Sequence, residues 1–275
     1  MTQKEKVKNA WKKDFSDYWT KQDSNSKTDD TQIMDVWREC HFYGRRVLVE
    51  KILNIQEEHV FLELGCGEGW LTSRYENKCK TFGIDISDKF CKLTKKNAPN
   101  SFIMRGDIEQ LPIADEFIDT CAIIYTFVSI PDKLKALKEI NRVLKKDGSL
   151  IIFDPNHLSL RTFLHWLQLV KNKMLLRENS NYSDIKILRL NVLTTQSLSY
   201  FGFKRIAEKA NFNIHYWRGN FDTVPFPMIT CGIFSNITYF LLRIGQKFGC
   251  NYWGNMPIVR YFSDFLIIKL KKKVI

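Results

Sequence analysis

Phe61-Leu-Glu-Leu-Gly65-Cys-Gly67-Glu-Gly69-Trp70 is a short apolar run that ends beside an acid and then breaks into three alternate glycines. A run of this length bounded by glycine reads as a buried strand that turns sharply into a helix. Glycine lets the chain turn and lets a ligand approach the backbone with no Cβ in the way. A helix that follows such a turn offers its first N–H groups nearby. The spacing departs from the dinucleotide fingerprint, which needs glycine at position 70, where Trp stands. No Gly-Lys-Ser/Thr follows, so the P-loop pattern is also absent.

Working outward, the same rhythm repeats. Thr81-Phe-Gly-Ile-Asp85, Ser101-Phe-Ile-Met-Arg105, Thr120-Cys-Ala-Ile-Ile-Tyr125 and Ser149-Leu-Ile-Ile-Phe153 are further strand candidates. Asp132 to Lys146 places Leu134, Leu137, Ile140, Val143 and Leu144 on one helical face, and Asp147-Gly148 is expected to stop that helix. Short apolar strands alternating with helices predict an α/β fold with a parallel sheet covered on both faces. Its ligand site lies beyond the carboxyl ends of the strands. Thr195 to Ala210 reads as one more helix. Asn211 to Trp217 and Ser263 to Leu270 read as the last two strands.

Acids recur at those strand ends. Glu63 precedes the glycines, Asp85 ends the second strand, and Asp107 follows the third in Gly106-Asp-Ile-Glu-Gln-Leu-Pro112. A carboxylate at Asp85 can accept both hydrogen bonds of a ribose diol. Capping accounts for one such acid but not for three in succession.

Glu63-x-Gly-x-Gly-x-Gly69, Gly83-Ile-Asp85, Gly106-Asp107…Leu111-Pro112, Phe117-Ile-Asp119 and Glu139-Ile-x-Arg142-Val-Leu-Lys-x-x-Gly148 together resemble the class I S-adenosylmethionine-dependent methyltransferases, in the broad group with a Gly-Asp-x-x-x-Leu-Pro motif. The resemblance covers about residues 45–156. It implies a Rossmann-like seven-stranded, mostly parallel sheet whose last strand is antiparallel, and S-adenosyl-L-methionine as cofactor. By the same resemblance Gly65, Cys66 and Gly67 would line the methionine part, and Glu63 would help hold its ammonium end. Asp85 would bind the ribose, Ile86 would pack on the adenine, and Asp107 would accept from the adenine amino group beside the Ile108 N–H. Tyr125 and Thr126 would sit near the methyl donor. His157, after the fifth strand, is the leading candidate for a catalytic base, ahead of His165 and His41.

Composition narrows the partners. The chain has 275 residues and 13% aromatic content, which supports a full core and excludes general disorder. Residues 1–156 carry 25 basic and 25 acidic side chains, whereas residues 157–275 carry 17 and 5, so the whole net charge of +12 lies in the second part. A basic surface attracts phosphates, an anionic membrane or an acidic small molecule. The favoured acceptor is a small metabolite, a glycan precursor or a lipid-linked molecule. RNA is the alternative, as is a catalytically silent homologue. Seven cysteines without a CxxC pair or zinc spacing predict free thiols and no metal site. The polar N-terminus lacks the apolar core of a secretory signal. Thr223 to Leu242 is uncharged, yet Pro225, Pro227, Gly232 and Asn236 argue against a membrane span. The expected location is the cytoplasm, with peripheral contact at a membrane surface as a second reading. The expected organisation is a helical cap over 1–55, the cofactor-binding half over 56–156, and a helical insertion with the C-terminal strands over 157–275.

Overall fold

The computed structural model describes residues 48–159, 163, 197–220 and 255–273. Most of the helical cap expected over 1–55 and much of the helical insertion expected within 157–275 fall outside those residues. So do His41, His165, Cys40, Cys231 and Cys250.

The described residues form one sheet flanked by helices. In chain order the elements are α1 (Val49–Leu53), β1 (Val60–Leu64), α2 (Trp70–Tyr75), β2 (Lys80–Asp85), α3 (Asp88–Asn97), β3 (Phe102–Arg105), β4 (Ile118–Ile124), α4 (Lys133–Val143), β5 (Leu144–Pro155), α5 (Tyr200–Lys209), β6 (Phe212–Asn220) and β7 (Phe265–Lys272). The sheet has seven strands in the order β3-β2-β1-β4-β5-β7-β6. Neighbours among β1 to β5 pair parallel, and β7 runs antiparallel between β5 and β6. This is the expected seven-stranded sheet with its last strand reversed.

Strand alternation divides the core. Leu62, Leu64, Ile84, Leu150 and Ile152 pack with α4 and α5 on one face, whereas Phe61, Ile151 and Phe153 pack with α1 and α2 on the other. Each such side chain contributes about 1.5–3 kcal/mol when fully buried. The central strands are apolar on both sides for that reason, and a parallel sheet requires it. Helix starts are set locally. The Asp132 carboxylate accepts from Lys135 N–H at 3.1 Å to open α4, and Ser87 Oγ accepts from Phe90 N–H to open α3.

The helix expected to reach Lys146 ends earlier, at Val143. Leu144 is fully buried and pairs with Ile118 as the start of β5. Lys145 Nζ reaches both oxygens of Asp119 at 2.8 and 2.7 Å, and Phe117 N–H donates to the Val143 carbonyl. Pairing with β4 overrides the helical periodicity of these few residues.

Arg142 ties the segment after β3 to α4. Its guanidinium donates to the carbonyls of Leu111 and Ile113 at 3.0 and 2.8 Å, to Glu139, and to Asp115 at 2.6 Å. Glu139 Oε2 in turn accepts from Leu111 N–H at 3.0 Å. Replacing the fork strands these carbonyls, at a cost of about 1–3 kcal/mol. Arg142→Met is therefore expected to lower the melting temperature by several degrees with the sheet retained. Differential scanning calorimetry with circular dichroism measures it, and an unchanged melting temperature refutes it.

Candidate cofactor site

The turn after β1 is built on two carbonyl-bound amides. Gly65 N–H and Cys66 N–H both donate to the Ile84 carbonyl of β2, at 2.7 and 3.1 Å. Gly65 sits at φ 73° and Gly67 at φ 54°, in the left-handed region that favours glycine. The two have different surroundings. A Cβ on Gly65 would collide with the Thr126 side chain, so Thr126 closes directly over it. A Cβ on Gly67 would meet no described atom within 4 Å. Open space therefore lies on the outer side of Gly67.

Asp85 reaches the same turn from the end of β2. Its Oδ2 accepts from Gly67 N–H at 3.0 Å and its Oδ1 from Ser87 N–H at 2.9 Å. It is 9% exposed. Burial raises its pKa, and the hydrogen bonds from Ser87 and Gly67 only partly oppose this. Each carboxylate oxygen has a second lone pair, so a diol could still be received there.

Glu63, 2% exposed, turns inward. Its Oε2 accepts from Thr72 N–H at 2.8 Å and from the Thr72 hydroxyl, which uses one of the first free amides of α2. Cys66 also turns inward. Its Sγ lies 3.4 Å from Thr94 Oγ1 and packs on Gly83, so only its backbone borders the turn. Burial pushes its thiol pKa far up. Thr94 Oγ1 donates to the Gly67 carbonyl at 2.7 Å and so fixes the turn from α3.

The remaining predicted residues lie on neighbouring strand ends. Gly106 N–H donates to the Asp85 carbonyl at 2.9 Å, which places the next turn beside Asp85. Asp107 Oδ1 accepts from Glu109 N–H at 3.0 Å within that turn, and Ile108 is buried in the core. Ile86 is half-buried, with its carbonyl accepting from Arg105 Nε at 3.4 Å. Tyr125 follows β4 at φ 55°, an outlier for a bulky residue. Its ring packs against Phe153 and Phe265, and the strained turn carries Thr126 to the Gly65 carbonyl at 3.4 Å.

His157 is set apart. It is exposed, its Nδ1 lies 3.3 Å from Ser197 Oγ, and its N–H donates to the Leu198 carbonyl. It borders a cavity of about 400 Å³ with Leu158, Ser159, Phe163 and Phe262. The structure therefore brings Gly65, Gly67, Asp85 and Thr126 together at one turn, with Asp107 in the turn that follows β3, while the described contacts of His157 run toward Ser197.

Sequence reasoning missed Thr72, Thr94 and Ser87. Ser87 carried a readable signal, a serine before an acidic first turn. Thr72 and Thr94 act through contacts 9 and 27 residues away, which no local pattern reveals.

The sheet order is the Rossmann-like fold seen in solved S-adenosylmethionine-dependent methyltransferases. Residues 62–152 match the family described as methyltransferase domain. A demethylmenaquinone methyltransferase of Thermotoga maritima is 30% identical over 113 residues, 40% of this chain and 49% of that protein. A malonyl-[acyl-carrier protein] O-methyltransferase of Buchnera aphidicola is 27% identical over 58% of this chain and 64% of that protein. The chain thus spans about half to two thirds of the length of these curated relatives. Among solved structures, a methyltransferase from Thermotoga maritima superimposes with a TM-score of 0.52 at 18% identity, covering 85% of this chain and 99% of that one. A TehB-like methyltransferase from Corynebacterium glutamicum gives 0.53 at 14%, covering 96% and 100%.

The two glycines separate a packing role from a binding role. Gly65→Ala collides with Thr126 and is expected to lower thermal stability. Gly67→Val is expected to give a folded protein that no longer binds S-adenosylhomocysteine, because its side chain fills the open space. Calorimetric titration and thermal melting of both variants check this. Normal binding by Gly67→Val places the ligand elsewhere.

Proposed function

We propose that the chain transfers a methyl group from S-adenosylmethionine to an oxygen or nitrogen of a small or lipid-linked molecule. The observation that carries this reading is the open space at Gly67, whose N–H donates to the buried Asp85 carboxylate, with Thr126 closed over Gly65. That shape fits a nucleoside with a chain on one side. Asp85 would hold the ribose, the turn at Asp107 and Ile108 with Ile86 the adenine, and the backbone from Gly65 to Gly67 the methionine. Glu63 would act on the ammonium end through the start of α2.

When bound, the cofactor supplies a methyl carbon that is already electrophilic and a neutral leaving group. The protein's own task is then alignment and exclusion of water. The turn Tyr125–Thr126, packed on Phe153 and Phe265, is a rigid wall suited to that task. An acceptor that must lose a proton needs a base. Among the described residues, His157 is the histidine at the carboxyl rim of the sheet.

A small or lipid-linked acceptor is favoured over RNA. The relatives named above act, by their names, on demethylmenaquinone and on malonyl-acyl carrier protein. The basic second part of the chain suits an acidic substrate or an anionic membrane surface. Among the described residues no helix is long and apolar enough to cross a membrane.

Labelled cofactor incubated with fractionated cell extract tests the acceptor class. Label is expected in the small-molecule or lipid fraction, and label in RNA overturns the assignment. Asp85→Ala is expected to weaken S-adenosylhomocysteine binding by about 1–3 kcal/mol, through lost charged hydrogen bonds. Binding by the parent is expected to weaken as pH falls through the raised pKa of Asp85, because the protonated acid is a poorer acceptor. If His157 is the base, His157→Ala abolishes the acidic limb of the pH–rate profile. An unchanged profile dismisses it.

A further inference from the structure

Asp154 lies near the carboxyl end of β5. Leu150 and Ile152 pack on the α4/α5 face, so strand alternation points Asp154 the same way. It is fully buried, and among the described residues neither carboxyl oxygen has a hydrogen-bond partner. The Val128 amide faces it without reaching hydrogen-bond geometry.

The neighbouring cation is Lys133, the first residue of α4. Its Nζ donates to the carbonyls of Val128 and Ile130 at 3.2 and 2.8 Å and sits 5.8 Å from the centre of the Phe127 ring. Glu109, 6% exposed, also acts on Lys133, and its Oε1 accepts from Asp132 N–H at 3.0 Å. Among the described residues, Lys133 and Glu109 are the charged groups that bear on this place. The β7 partner of Asp154 is Leu266.

One cation between two ionised carboxylates would leave a net negative charge in a buried site, which costs several kcal/mol. Keeping Asp154 as an acid makes the cluster neutral. An acid needs fewer donors than a carboxylate, which agrees with its two unpaired oxygens. Burial pushes the Asp154 carboxyl up and the Lys133 ammonium down, in the same sense.

The cluster also has a position. Lys133 grips two carbonyls of the turn whose other end, Thr126, closes over Gly65. Glu109 lies two residues beyond Asp107. We propose that Glu109, Lys133 and Asp154 are positioning residues that set the turn Thr126–Ile130 beside the glycine turn. The proposal rests on the methyl-transfer reading only in treating that turn as a wall of the cofactor site.

The pH dependence has a definite sign. A carboxyl whose folded-state pKa is raised keeps a proton that the unfolded chain has lost, so stability falls as pH rises toward the folded-state value. Ionisation would also release the turn. The test compares the parent with Asp154→Asn, which mimics the acid. Melting temperature and hydrogen exchange of the Thr126–Ile130 amides are read from pH 6 to 9 without ligand, and S-adenosylhomocysteine affinity over the same range. In the parent, affinity is expected to fall by up to roughly tenfold per pH unit once Asp154 ionises. Asp154→Asn is expected to bind within about threefold of the parent at pH 6 and to lose most of that pH dependence, a threefold change being well under one tenfold step. A variant that keeps the parent's pH slopes, or that folds but no longer binds at pH 6, overturns the proposal. If Asp154→Asn does not fold, Lys133→Gln decides. Faster exchange confined to Thr126–Ile130 supports the proposal, and unchanged exchange there overturns it. A parent that shows the stability and exchange effects but never binds S-adenosylhomocysteine refutes the methyl-transfer reading and leaves the turn assignment standing.

Discussion

The hydrogen bond from Gly67 N–H to the Asp85 carboxylate joins the ends of two adjacent parallel strands. It holds the glycine turn in its left-handed shape from outside the turn itself. The same carboxylate accepts from Ser87 and so orients the start of α3. Asp85 is thus a structural hub as well as a group bound to the turn that borders the open space. Its near-complete burial follows from that double duty. Three backbone N–H groups bear on it, the usual way a protein keeps a carboxylate tolerable away from water.

Around this hub the molecule arranges its charge in layers. Exposed pairs such as Lys92 with Asp88 lie on helix surfaces and contribute little. Arg142 and Lys145 are partly covered and hold loops to strands through carbonyls and carboxylates together. Glu63, Glu109 and Asp154 are buried, Glu63 against the first turn of α2 and Glu109 against Asp132 at the start of α4. Polar burial is costly, and here it is concentrated where loop geometry decides binding.

The sheet was legible because its central strands are apolar on both faces and β1 to β3 run into glycines or acids. Periodicity placed six of the seven strands to within a few residues, β5 being the exception. Leu144 to Gly148 carry helix-compatible residues, and only pairing across to Ile118 draws Leu144 into the strand. The glycine turn was legible where geometry follows spacing, at Gly65 and Gly67 with their positive φ and at Asp85, which accepts from Gly67 N–H. It was illegible where side chains choose between two sides of a strand end. Cys66 and Glu63 sit in the motif, yet both turn inward to residues far along the chain. The role of Tyr125 depends on a backbone angle that sequence does not encode locally. The Glu109–Lys133–Asp154 cluster unites residues from three separate elements.

The inward turn of Cys66 gives the molecule a native gauge. Its sulfur is sealed beneath the glycine turn and against Gly83, and burial suppresses the reactive thiolate form. A thiol-alkylating reagent can reach it only after the turn lifts away from Thr94. The rate at which that sulfur becomes labelled therefore counts the opening events of the glycine turn, with no dye or engineered probe needed.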